Sequence, residues 1–303
     1  MTDPRLRHLQ VPVVGGSLHV GVWEPEGEAS ATILAIHGVT SSHLAWAWLA
    51  EAMPGVRIVA PDLRGRGRSQ GLAGGGGMAT HADDVAAVID ALALGPATIV
   101  GHSMGGFVAV VTASMHPEVV AGLLLLDGGV PFGVPQGLSP EEAVQAVLGP
   151  TADRLRMRFG DEAAYLDFWR AHPAFADTWD ARLEEYLRYD LVRCEGDLAP
   201  ATSYATTVAD TVDLMTGSDV PDALRSLAVP ATFITVPLGL TAAPPGLYSP
   251  ERLASLPVEA PTLVHRRLAD FNHYTLVMST AGASAVAGLV EEALAASRAQ
   301  KEG

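Results

Sequence analysis

The sequence predicts an α/β protein with a mostly parallel central sheet, helices on both of its faces and a helical segment inserted before the last strands. Three observations carry this. Short apolar, β-branched runs alternate with helical stretches through the first third of the chain. The rhythm stops from about Pro135 to Pro221, where the chain turns helical and holds nine of its 18 aromatic residues. It then resumes and runs to a final helical stretch. The expected division is a core of residues 1–133 and 223–303 with an insertion of residues 134–222. At 303 residues and 49% hydrophobic, the chain can bury a large core, and α/β units often exceed the usual domain length.

Taken in order, residues 8–14 and 17–23 flank Gly15-Gly16, a hairpin signal. Residues 32–36 and 56–60 read as strands buried on both faces, with a helical stretch at 45–52 between them. Residues 79–92 carry apolar side chains at helical spacing and stop at Gly95-Pro96. A strand at 98–100, a helix at 105–115 closed by His116-Pro117, and a strand at 120–126 follow. Gly74 to Gly77 reads as a loop. Within the insertion no strand is predicted, and Ser139-Pro140-Glu141-Glu142 is a capping box with proline at the first helical position. Afterwards come a strand at 231–236, a helix opened by Ser249-Pro250-Glu251, a strand at 262–268 and a helix at 281–296.

Charge and composition narrow the function. With 34 acidic and 19 basic side chains the net charge is −15, which repels phosphate backbones and anionic lipid. Neither nucleic acid nor membrane is an expected partner. The single cysteine, Cys194, allows no internal disulfide and no thiolate metal site. The first ten residues lack a signal-peptide core, and the run from Val119 to Leu126 is too short to span a bilayer, so a cytoplasmic protein is expected.

Gly101-His102-Ser103-Met104-Gly105-Gly106 fits the G-x-S-x-G elbow, with a buried strand before it and a helix after. Such a turn needs small residues two positions either side of the serine, whose hydroxyl then projects over the carboxyl end of the sheet. The helix starting there aims backbone N–H groups at developing negative charge. His37-Gly38 follows the strand at 32–36. Glycine there admits a ligand close to the backbone, so the N–H of Val39 can join that of Met104 as an oxyanion hole. The stretch Pro61-Asp62-Leu63-Arg64-Gly65-Arg66-Gly67-Arg68-Ser69 reads as an internally braced loop without a catalytic role.

These residues, in the order HG…W, PDLRGRGRS, GHSMGG, helical insertion and late histidine, resemble the α/β-hydrolase superfamily, and more narrowly its capped esterase, haloperoxidase and lactonase members. The resemblance spans nearly the whole chain and is weakest in the insertion. It implies an α/β-hydrolase fold and a triad in the order serine, acid, histidine. Asn272-His273-Tyr274-Thr275 stands where the family places its catalytic histidine. Most relatives carry their acid in the loop after the strand that follows the insertion, but residues 237–246 hold no carboxylate. Certain dehalogenases and a lactone-hydrolysing branch use an acid directly after the strand before the insertion, and Asp127 occupies that place. Asp270 and Glu251 are the alternatives.

The expected activity is cleavage of a small hydrophobic ester or lactone through an acyl-enzyme on Ser103, with His273 as base and no cofactor. Serine at the elbow argues against dehalogenase and epoxide-hydrolase chemistry, whose relatives use aspartate there. Gly38, His102, Phe132 and Trp169 are the expected substrate contacts. No H-E-x-x-H or comparable pair is present and the remaining histidines share no spacing, so no metal site is expected. Rival readings are a cofactor-free carbon–carbon bond hydrolase or haloperoxidase-like enzyme with the same triad, and a non-catalytic receptor on the same fold. The sequence leaves substrate identity and oligomeric state open, a homodimer included.

Overall fold

In chain order the strands are β1 (Leu6–Val13), β2 (Gly16–Trp23), β3 (Ala31–Ile36), β4 (Val56–Pro61), β5 (Ala97–His102), β6 (Val120–Leu126), β7 (Leu191–Cys194), β8 (Asp197–Pro200), β9 (Ala231–Thr235) and β10 (Leu263–Arg267). Eight of them build one sheet in the order β1-β2-β4-β3-β5-β6-β9-β10. Every pairing from β4 to β10 is parallel; β2 runs antiparallel to both β1 and β4. The computed structural model describes residues 3–72, 75–132 and 137–302. The expected boundary between 133 and 134, the start of the insertion at Pro135, and Gly74 lie outside them.

The helices are α1 (Ala47–Ala52), α2 (Met78–Ala91), α3 (Met104–Met115), α4 (Pro140–Leu148), α5 (Pro150–Arg154), α6 (Glu162–Arg170), α7 (Ala181–Tyr189), α8 (Tyr204–Thr216), α9 (Asp219–Arg225), α10 (Pro250–Glu259) and α11 (Thr280–Glu302). The sheet's side chains alternate faces, as the two-residue period of a strand requires. Leu34, Ile36, Ile99, Leu123 and Leu125 enter one apolar cluster with α2, α3 and α9. Ile33, Ala35, Val100, Leu124 and Leu126 enter the other with α1 and α11. Both faces are covered, which is why the central strands read as unbroken apolar runs.

Two details depart from expectation. The segment between β6 and β9 contains a two-stranded hairpin, β7–β8, where no strand was predicted. It turns through Glu195 (φ 53°) and Gly196 (φ 102°), the pair of positive φ values that a two-residue hairpin loop demands. Residue 222, the expected end of the insertion, falls inside α9, whose Val220, Ala223 and Leu224 pack in the same cluster as α3. The capping box at Ser139 is present: its hydroxyl accepts from the Glu142 N–H while Glu142 accepts from the Ser139 N–H. Among the described residues no helix is long and apolar enough to cross a membrane.

Candidate active site

The chain runs from β3 to β4 on one side of the sheet and then crosses to β5 on the other side of β3. The loops leaving β3 and β5 consequently diverge, opening a crevice at their carboxyl ends. Ser103 stands at the end of β5 and is forced into an unusual backbone conformation, φ 54° and ψ −122°. Its neighbours must be glycines for reasons of space. A Cβ on Gly101 would lie 2.4 Å from the Gly105 carbonyl oxygen, and one on Gly105 would lie 2.1 Å from that of Ile36. The strain is held by packing: α3 follows at once and is buried from Met104 to Ala113.

Asp127 follows β6, also at positive φ (45°), and is fully buried. Its Oδ2 accepts a 2.7 Å hydrogen bond from Nδ1 of His273. Asp270 and Glu251, the alternatives, are both exposed. The loop of His273 is fixed from several sides. The His273 N–H donates to the Leu238 carbonyl, and Nε2 of His102 donates to the His273 carbonyl at 2.9 Å. Asn272 accepts from the Tyr274 and Thr275 N–H groups and donates to the Ala174 carbonyl in the inserted segment. Burial lowers the His102 imidazole well below its ordinary range, so it stays neutral with its proton on Nε2.

Ser103, His273 and Asp127 all line one cavity, together with Gly38, Val39, His102, Met104 and Phe132. A Cβ on Gly38 would come within 3.1 Å of the Ser103 Cβ, so the β3 loop passes directly over the serine. His37 holds that loop. Its Nε2 accepts from the Leu63 N–H at 3.0 Å, which puts its proton on Nδ1, bonded to the Gly38 carbonyl at 2.7 Å. Burial lowers this imidazole to about 4. Arg66 secures the same loop by donating to the Val39 carbonyl and pairs with Asp210 of α8, which also accepts from Gly77 and His81. The loop expected to be a brace is one, linking the Val39 turn to the inserted segment.

Trp169 is a correction. It is buried but does not line this cavity; it stacks edge-on with Tyr165, Phe175 and Tyr274 and lies beneath Arg154. Spaced four residues apart on α6, Tyr165 and Trp169 face inward and join the apolar cluster that covers the α1–α11 face of the sheet. The aromatic of that segment that reaches the cavity is Tyr186, bonded through its hydroxyl to Ser41. Tyr186, Asn272, Arg66 and Asp210 were not singled out individually, because each acts through a partner far away in the chain.

Among the described residues one group could hold a metal ion: His8, His19 and His43, outside the cavity of Ser103. Their chain spacing gave no hint of it. The signal available was the hairpin at Gly15-Gly16, which sets His8 and His19 on one face.

A family model described as alpha/beta hydrolase fold matches residues 31–218. The chain is 37% identical over 174 residues to lipase LipV of Mycobacterium tuberculosis, covering 56% of this chain and 62% of that one. It is 35% identical over 116 residues to 2-hydroxymuconate semialdehyde hydrolase of Pseudomonas sp., covering 36% and 41%. Each match spans less than two thirds of the relative's length. In fold, the chain is similar to E-2-(acetamidomethylene)succinate hydrolase, with a TM-score of 0.75 over 96% of this chain and all of that one at 20% identity.

Proposed function

Because the chain belongs to the alpha/beta hydrolase fold family, we propose that it is a serine hydrolase that cleaves a small hydrophobic carboxylic ester or lactone. The observation that carries this reading is the 2.7 Å Asp127–His273 hydrogen bond, facing the same cavity as a serine held at φ 54°. With Nδ1–H committed to Asp127, Nε2 of His273 is the free base. It takes the proton of Ser103 as the hydroxyl oxygen attacks the substrate carbonyl. The oxyanion rests on the N–H groups of Val39 and Met104, the latter in the first turn of α3 where no intrahelical acceptor exists. His273 then protonates the leaving alcohol, and water, deprotonated by His273, releases the acyl group. The insertion expected over residues 134–222 acts as a cap over this cavity, to which Leu148, Thr151 and Tyr186 contribute.

Carbon–carbon bond cleavage is the second reading, favoured by the name of the Pseudomonas relative. The cavity lining argues for a neutral ester instead. Among the described residues its lining contains no lysine or arginine to pair with an anionic substrate. A panel of aryl esters of increasing acyl length, lactones and vinylogous diketones separates the readings. Turnover of esters or lactones that disappears in Ser103→Ala is expected; turnover confined to the diketones would replace the ester reading.

A further inference from the structure

We propose that His8, His19 and His43 bind a divalent transition-metal ion, zinc by preference, at a site separate from the cavity of Ser103. One ring nitrogen from each of the three lies within 4.8 Å of the others. The ring centroids are 4.9, 5.3 and 5.4 Å apart.

The site is built by the fold. In the β1–β2 register His8 opposes Gly21 and Gln10 opposes His19, so the two histidines are diagonal neighbours on one face of the hairpin. The third ring fits because position 21 has no side chain: a Cβ there would lie 2.3 Å from Cδ2 of His43. His43 is fully buried and donates from Nδ1 to Asp62 Oδ1 at 2.8 Å. That fixes the tautomer and leaves Nε2 as a bare lone pair, buried without a hydrogen-bond partner. A buried acceptor left unpaired is destabilising, and a carboxylate bonded to the far nitrogen of a histidine is how proteins orient metal-ligating rings.

The other two rings contact each other. The Gln10 side chain contacts Nδ1 of His19 at 3.1 Å, and Nε2 of His19 lies 3.0 Å from Nδ1 of His8. An ion takes the place of the proton shared in that last contact; the proton of His19 moves to Nδ1, and the Gln10 amide, which now presents its Nε2 there, turns its oxygen to accept it. Zinc–imidazole bonds of about 2.0–2.1 Å set tetrahedral donors roughly 3.3 Å apart, so the rings close by an ångström or so. Three imidazoles suit zinc and its transition-metal neighbours and do not suit magnesium or calcium. His8 is exposed, which gives the ion a way in and leaves a fourth position to water.

Asp62 gives the site its reach. It also accepts from the Arg68 N–H at 2.8 Å and from the Tyr189 hydroxyl of α7 at 2.6 Å. An ion on His43 therefore ties the first hairpin to the bracing loop and to the inserted segment, and its effect is on stability. The test uses untagged, EDTA-treated full-length protein. Zinc is titrated calorimetrically, cobalt is followed by visible absorption, and melting is recorded with and without zinc. The expected result is one ion per chain, tetrahedral cobalt bands and a zinc-dependent rise in Tm. His8→Gln and His19→Gln, both at hairpin positions, should each weaken binding about tenfold or more while leaving the metal-free Tm near that of the unsubstituted protein. Failure of the intact protein to bind either ion, or binding by both variants as tight as that of the unsubstituted protein, overturns the site.

Discussion

His273 is held between two partners that do different things. Asp127 accepts the hydrogen bond from Nδ1–H, and His102 anchors the main-chain carbonyl. Replacing the carboxylate by an amide keeps the shape but removes the preference for one tautomer. Asp127→Asn should therefore lower kcat by orders of magnitude, about 10⁴ in the best-measured triad. Asp270→Asn and Glu251→Gln, both at exposed positions, should leave kcat near its original value. Steady-state kinetics on one aryl ester decides this, and sensitivity at Asp270 or Glu251 would reassign the acid. Ser103 and His273 were legible from local motifs, since an elbow and a histidine after the last strand are short-range patterns. Asp127 was legible only as one of three candidates. The His8–His19–His43 cluster was not read at all, because one of its members arrives through tertiary packing over Gly21.

At the scale of elements, the sheet was legible because its central strands are buried on both faces and so lack any polar interruption. The β7–β8 hairpin was missed for the opposite reason. Each strand has four residues and pairs outside the main sheet, so too little of the chain alternates to register a period. The strand–elbow–helix unit carries its own prediction. Gly105→Ala places a methyl group 2.1 Å from the Ile36 carbonyl oxygen, against backbone that cannot yield without shifting β3. The expected cost is about 3 kcal/mol. Gly288→Ala, at an exposed position of α11 with nothing within 4 Å of the new Cβ, should instead stabilise by roughly 0.5–1 kcal/mol. Urea denaturation of both variants measures the pair, and equal midpoints would show that the elbow is not closely packed.

For the whole molecule, stability depends on histidines buried without charge. Burial lowers His37 to about 4 and His102 well below its ordinary range, whereas an unfolded histidine takes up a proton near about 6.5. Between those values the unfolded chain holds more protons than the native one, so stability falls as pH drops from about 6.5. His37 alone contributes on the order of 3 kcal/mol to that fall by pH 4. Burial opposes charge on Asp210, but Arg66 and His81 more than offset it and hold the carboxyl below its usual range. Its contribution is present above the unfolded value near 3.8 and is lost as pH falls further. Urea midpoints should therefore decline continuously from pH 7 to pH 4 and steeply below it. A flat profile between pH 7 and pH 5 would mean that these rings are protonated inside the fold.

The decisive observation for the catalytic reading is covalent. The full-length protein is incubated with a fluorophosphonate, its intact mass is measured, and the modified peptide is mapped. One adduct per chain, confined to Ser103 and absent from Ser103→Ala, is the expected outcome. An unmodified protein, or an adduct that persists after the serine is replaced, would mean that the strained hydroxyl above β5 is not the nucleophile.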